Sequence, residues 1–134
     1  EKSLKLSTFV QGSVPEKVRI DPLRLKQILI NLLSNAVKYT EVGSVSLTVD
    51  FRAAKKKKEL IFAVTDTGVG IPKNKIASMF KPFVQGERYD TRTYGGVGLG
   101  LSIVKELVNL MKGTINVKSV LGTGSTFIIT IPME

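Results

Sequence analysis

The chain has 134 residues, no cysteine, no histidine and a formal net charge of +9. These values exclude disulfides and thiolate or imidazole metal sites, so a metal here would be a hard ion such as Mg²⁺ held by oxygen. Hydrophobic residues make up 43% and charged residues 23%, which predicts one folded domain over residues 1–134. The basic charge predicts an anionic partner, but charge alone does not distinguish a nucleotide from a nucleic acid or a lipid head group.

The sequence contains no apolar run of roughly 20 residues, the length needed for a transmembrane helix. Its N-terminal residues also lack the pattern of a signal peptide. We therefore expect a cytoplasmic domain, whether or not its parent protein is anchored in a membrane.

In the first half of the chain, hydrophobic patterning predicts strands at 4–10, 18–20, 44–51 and 59–65 and a helix from 22 to about 38. Asp21-Pro22 is typical of a helix start. Apolar residues at helical spacing between Leu25 and Val37 predict one buried face. The four lysines at 55–58 are interpreted as a solvated hairpin turn. The alternative is a nucleic-acid patch, although no aromatic residue lies among them to stack a base.

The second half predicts a helical stretch near 73–80, an irregular segment at 81–97, a helix at 98–111 and strands at 114–119 and 125–132. Irregular segments of this length inside a domain are usually functional, often as lids. The order of elements predicts an α/β fold. We expect a two-layer sandwich in which about three helices cover one face of a mixed sheet of about five strands.

Polar residues at i, i+4 and i+7 form one stripe on the first predicted helix, opposite its apolar face: Asn31, Asn35 and Lys38. Asparagine is unfavourable inside a helix, so a solvated stripe explains the two asparagines poorly. An amide oxygen can instead ligate Mg²⁺, and a lysine one turn later can meet a phosphate.

Glycine-rich turns mark three further places. Asp66 precedes T-G-V-G and is either a turn residue or an acceptor for an exocyclic amine such as that of adenine, with Gly68 and Gly70 admitting a flat base. Gly95, Gly96, Gly98 and Gly100 run into a helix and predict either an anion site or a tight turn. Glycines 122 and 124 suit either a hairpin turn or the same cleft. The P-loop and dinucleotide motifs are absent from the sequence.

Together, five motifs resemble the catalytic and ATP-binding domain of two-component sensor histidine kinases. That family shares its fold with DNA gyrase, a mismatch-repair ATPase and a heat-shock chaperone. The motifs are NLLSNAVKYT, DTGVGIP, MFKPFVQ, GGVGLGL and GTGSTF. The resemblance covers the chain from about Asp21 to Pro132. Val97 departs from it, since many members carry threonine or serine there.

The resemblance implies that Asn31 and Lys38 act on the phosphates of ATP and that Asn35 ligates Mg²⁺. It implies that Asp66 receives the adenine amine, Tyr39 flanks the base and Thr126 supports it. The implied nucleotide-binding set is Asn35, Tyr39, Asp66, Gly68, Gly70, Gly96, Gly98, Gly100, Leu101 and Thr126. Phe80 and Phe83 would either seat a lid over residues 86–96 or pack in the core. The lid is expected to be more ordered with nucleotide than without it.

The function implied is transfer of the γ-phosphate of Mg·ATP to a histidine on a separate helical dimerisation domain of the parent kinase, expected upstream of Glu1. A response regulator would be an indirect partner, nucleic acid would not be a partner, and the isolated chain would be a monomer. The alternatives are an ATPase or serine kinase on the same fold, or a regulatory module that only binds nucleotide. Asn31 stands where the ATPase relatives carry a water-activating glutamate, which favours transfer over hydrolysis.

Overall fold

The computed structural model describes residues 3–54, 57–76, 79–80 and 97–133. Its centre is a five-stranded sheet with the spatial order β1-β2-β3-β5-β4. β1 runs parallel to β2, and the other neighbouring pairs are antiparallel, so the sheet is mixed, as predicted. The strands are β1 Ser3–Val10, β2 Val42–Ala54, β3 Lys57–Asp66, β4 Thr114–Val120 and β5 Gly124–Met133.

Helix α1 (Pro22–Lys38) begins where the sequence predicts it. The Asp21 side chain accepts hydrogen bonds from the N–H groups of Leu23 at 3.0 Å and Arg24 at 3.2 Å. These are amides that have no partner inside the helix, so the cap stabilises its first turn. The inward face of α1 buries Ile28, Leu32, Asn35 and Ala36. The predicted position of the polar stripe opposite the apolar face is therefore wrong for Asn35. It lies seven residues after Ile28 and three after Leu32, spacings that place it on the same face of the helix.

Two other helices are described, α2 Lys73–Ile76 and α3 Val97–Leu110. α3 packs against α1 and buries Leu101, Val104 and Val108, which recur at helical spacing. The described ranges thus hold three helices, the number predicted. None of the three is long and apolar enough to cross a membrane.

The helices cover one face of the sheet. Along β3 the side chains of Leu60, Phe62 and Val64 are buried, while those between them are only partly buried. The strand register pairs Phe62 with Ile129 of β5, and Ile129 is also fully buried. The buried row therefore continues across the sheet, and the predicted two-layer α/β sandwich is confirmed.

The strand predicted at 18–20 is wrong, because these residues are irregular. Only Ile20 of this segment packs against the core. Three residues carry too little alternation to distinguish a strand from a loop that buries one apolar side chain. The predicted lid at 86–96 and Phe83 lie outside the described residues, as do Lys55 and Lys56.

Candidate functional site

A cleft opens between the second half of α1, the ends of β3 and β5 and the segment that leads into α2. Its volume is about 620 Å³ including the open mouth, a size typical of small-molecule sites. Four of the predicted site residues line it. The full lining is Asn35, Ala36, Tyr39, Asp66, Gly70, Ile71, Pro72, Lys75, Met79, Ser125 and Phe127.

Asn35 and Asp66 reach this cleft from two different elements, helix α1 and the end of β3. Both are nearly buried, with exposures of 7% and 6%. Polar groups at such depth need a partner or a ligand to offset the loss of water. Their meeting in one cleft is the condition for a single nucleotide to contact both.

The Asp66 carboxyl group is held by backbone donors. The N–H of Gly68 donates to Asp66 Oδ1 at 2.9 Å, and the backbone N–H of Ser125 is a second donor. Burial raises the pKa of the Asp66 carboxyl above its usual 3.8, and the two N–H groups partly offset the rise. The carboxyl group is therefore fixed in position at the cleft wall.

Gly68 and Gly70 bring the turn after β3 against two other backbones. A Cβ atom at residue 68 would lie 2.2 Å from the carbonyl oxygen of Tyr39, and one at residue 70 would lie 2.3 Å from that of Val120. Between them, the N–H of Val69 donates to Tyr39 O at 3.3 Å. The sequence motif predicts that both glycines allow the close approach of a base. The structure gives them a close approach to protein backbone, and of the two Gly70 lines the cleft.

Thr126 lies on the opposite face of the sheet from Asp66. Its hydroxyl is 3.2 Å from that of Thr65, and neighbouring residues of a strand point to opposite faces. The residue of β5 that pairs with Asp66 is Ser125, which is buried and lines the cleft. The structure therefore places Thr126 away from the cleft that Asp66 lines, and the hydroxyl residue of this motif that lines the cleft is Ser125.

Asn31 lies one helical turn before Asn35, beside the start of α3. Its Nδ2 donates to Gly100 O at 3.4 Å, and its Oδ1 accepts from Gln27 Nε2 at 3.3 Å. Asn31 therefore connects α1 with the second glycine motif, GGVGLGL at residues 95–101. Lys38 is half-buried at the last position of α1. Neither Asn31 nor Lys38 is among the lining residues, so their contact with phosphates stays a prediction.

The second glycine motif is described from Val97 onward, and Gly96 lies outside the described residues. Gly98 and Gly100 fall in the first turn of α3, where backbone N–H groups have no helical partners and attract anions. Leu101 is only 1% exposed and belongs to the core. Leu101 starts the apolar stripe of α3 and is not among the residues that line the cleft, so its contact with the nucleotide stays a prediction.

Over residues 20–134 the chain matches the family described as histidine kinase-, DNA gyrase B-, and HSP90-like ATPase. The chain belongs to this family. The resemblance found in the motifs is thereby confirmed.

Relatives of similar sequence include two kinases. The autoinducer 2 sensor kinase/phosphatase LuxQ of Vibrio harveyi is 48% identical over 116 residues, 85% of this chain and 14% of LuxQ. The circadian input-output histidine kinase CikA of Synechococcus elongatus is 50% identical over 116 residues, 87% of this chain and 15% of CikA. The similarity thus covers about a seventh of each relative.

A solved structure in the family supports the same assignment. The crystal structure of full-length ShkA in complex with AMPPNP is similar with a TM-score of 0.82 and 36% sequence identity. The match covers 97% of this chain and 26% of the ShkA chain. The fold of this domain is therefore similar to that of about a quarter of the ShkA chain.

Two polar residues that are not among the predicted site residues also line the cleft, Ser125 and Lys75. Side chains two residues apart on a strand lie on the same face, so the apolar Phe127 predicts that Ser125 lies on the inner face. Lys75 has no comparable signal, because a helix as short as α2 carries no periodic pattern.

Phe80 was expected either to seat a lid or to pack in the core. It packs edge to face on Phe127, with ring centroids 6.3 Å apart and an interplanar angle of 78°. Since Phe127 lines the cleft, Phe80 supports the cleft wall from behind.

The raised pKa of Asp66 predicts a pH-dependent difference in stability between the wild type and Asp66→Asn. The folded state holds the Asp66 proton more tightly than the unfolded chain. The carboxyl therefore favours folding below its unfolded pKa, and that contribution is lost as the pH rises through the folded pKa. Asparagine does not titrate. In urea titrations, the free energy of unfolding of the wild type relative to Asp66→Asn should fall as the pH rises from the unfolded pKa of 3.8 through the higher folded pKa. A difference of constant size would contradict this assignment.

Proposed function

We propose that the chain binds Mg·ATP and transfers the γ-phosphate to a histidine on the helical dimerisation domain of a parent sensor kinase. The observation that carries the proposal is the single cleft shared by the Asp66 carboxyl and the Asn35 amide. The similarity to ShkA, solved with AMPPNP, supports it. The domain would act in the cytoplasm as a monomer, with a response regulator as an indirect partner.

The base would bind at the Asp66 end of the cleft. A fixed, buried acceptor suits the exocyclic amine of adenine, whereas guanine has a carbonyl at the same ring position. Apolar side chains from three separate elements, Ile71, Met79 and Phe127, also line the cleft. They offer a flat heterocycle the burial that supplies most of the affinity in such sites.

Asn35 is the residue that would hold Mg²⁺. A neutral amide oxygen at the wall of a cleft is a fitting ligand for a hard cation that keeps most of its ligands from phosphates and water. Within the described ranges, no three acidic side chains converge on a point, so ATP itself would supply the other charged ligands. When bound, the ion neutralises charge on the phosphates during transfer.

The nucleophile must come from outside the chain if it is a histidine, since the chain contains none. Asn31 cannot act as a general base that activates water, because an amide does not accept a proton under ordinary conditions. Its hydrogen bonds to Gly100 and Gln27 suit a positioning role between α1 and α3. Hydrolysis of ATP by the chain alone should therefore be negligible.

The decisive experiment mixes the chain with the dimerisation domain of its parent kinase and γ-labelled ATP. We expect Mg²⁺-dependent labelling that is acid-labile and base-stable, as for phosphohistidine, and none when the acceptor histidine is replaced by glutamine. Acid-stable label would indicate a serine kinase. Phosphate release by the chain alone, above a no-enzyme control, would indicate an ATPase. ATP binding without any transfer would indicate a regulatory module.

A further inference from the structure

Ser119 of β4 makes three hydrogen-bond contacts directly behind the cleft wall. Its Oγ accepts from the N–H of Ile71 at 2.7 Å, donates to Gly124 O at 3.0 Å and lies 2.8 Å from the Oγ of Ser125. Ser125 is 6% exposed and pairs with Asp66 across the strands. Ser119 thus connects the segment leading into α2 with the residue beside the Asp66 carboxyl.

The number of protons in this network fixes the direction of the Ser125 hydroxyl. A serine hydroxyl has one proton and two lone pairs. The Gly124 carbonyl can only accept, so Ser119 gives it its proton, and the N–H of Ile71 occupies one Ser119 lone pair. The second lone pair of Ser119 must then accept the proton of Ser125. With every group satisfied, Ser125 turns lone pairs rather than a proton toward the cleft.

We propose that Ser119 is a positioning residue that determines base specificity, because it holds Ser125 as an acceptor next to the acceptor carboxyl of Asp66. Two acceptors on one wall match an exocyclic amine, which has two N–H groups. They repel the carbonyl oxygen of a 6-oxo purine. This inference rests on the proposed function, since it requires a purine nucleotide in the cleft.

The opposite arrangement requires a broken hydrogen bond. If Ser119 gave its proton to Ser125, the Ser125 hydroxyl could donate into the cleft, but the Gly124 carbonyl would lose its Ser119 partner. Loss of one neutral hydrogen bond corresponds to a factor of about five to ten in affinity. In the wild type this penalty falls on any base that needs a donor from Ser125.

The test compares the affinities of ATP and inosine triphosphate, which carries a carbonyl in place of the 6-amine, by calorimetric titration of the whole chain. In Ser119→Ala the Ser125 hydroxyl can rotate and donate, so the preference for ATP over inosine triphosphate should fall about five- to tenfold. Ser119→Thr keeps the hydroxyl and should keep the preference. Ser125→Ala should lower the preference, and adding Ser119→Ala to it should have no further effect on the ratio.

A merely structural role for Ser119 gives a different result. Ser119→Ala leaves the N–H of Ile71 without its partner and should lower the melting temperature in either case. If it weakens both nucleotides by the same factor, the proposal is overturned. If Ser119→Ala does not fold, the proposal requires a lower ratio in Ser125→Ala and an unchanged ratio in Ser119→Thr, and any other result overturns it. A wild type that binds neither nucleotide would overturn the proposed function as well.

Discussion

Replacing Asp66 by alanine is expected to weaken ATP binding about 10- to 100-fold, because a hydrogen bond to an ionised group contributes about 1.5–3 kcal/mol. Asp66 is 6% exposed and its carboxyl group accepts from the N–H of Gly68, so water cannot easily replace the carboxyl group as the partner of the adenine amine. GTP has a carbonyl in place of the 6-amine, so it should bind the wild type weakly and the variant no worse. Calorimetric titration with both nucleotides, with and without Mg²⁺, measures the two affinities.

A matched control is Asp50→Ala. Asp50 lies in β2 on the sheet face away from the helices, where its carboxylate accepts from the N–H of Phe51 at 2.8 Å. Asp50→Ala removes the same charged group as Asp66→Ala but changes no residue that lines the cleft, so ATP affinity should stay unchanged. Equal binding of ATP and GTP by the wild type, or an unaffected Asp66→Ala, would remove the base-pocket assignment.

The parts of the fold that the sequence predicted are those whose signals are local. Asp21 and Pro22 mark the start of α1 within adjacent residues, and the apolar stripe repeats every turn for the length of the helix. The alternation in β3 is equally regular. Each of these patterns lies within one element, so no knowledge of a distant segment is needed to read it.

The position of Thr126 away from the cleft could not be predicted from the motif alone. The resemblance implies that a hydroxyl residue of the GTGSTF motif supports the base, and this motif has two, Ser125 and Thr126. Which of them lines the cleft depends on the face of the strand that each occupies. A shift of one residue along a strand moves a side chain to the other face. Phe127 points inward, so Ser125 does also, and alternation alone favoured Ser125 over Thr126.

Other features of the site depend on contacts between segments far apart in the sequence. The N–H of Ile71 donates to Ser119, 48 residues later, and Gly68 fits against the carbonyl of Tyr39. Nothing in the sequence near Ser119 or Gly68 specifies these partners. The motifs therefore predict which segments form the cleft, while the sheet order and the packing of the turns decide which atoms meet there.

A large loss of stability is expected from Gly124→Ala, in the hairpin between β4 and β5. A Cβ atom at residue 124 would lie 2.1 Å from the carbonyl oxygen of Asp66, and the φ of Gly124 is +142°. The strands cannot separate to relieve this contact without breaking the pairing of Asp66 with Ser125. Steric overlap and backbone strain together should lower the free energy of unfolding by about 3–5 kcal/mol, measured by urea titration.

Gly122→Ala separates the two causes of that loss. Gly122 also has a positive φ, +84°, but a Cβ atom there would meet nothing within 4 Å. Its replacement should therefore show backbone strain alone, about 1–2 kcal/mol, with ATP affinity close to that of the wild type. In Gly124→Ala the overlap displaces the backbone of Asp66 itself, so the molecules that remain folded should also bind ATP more weakly. Equal losses of stability in the two variants would mean that the contact with Asp66 does not hold the end of β3 in place.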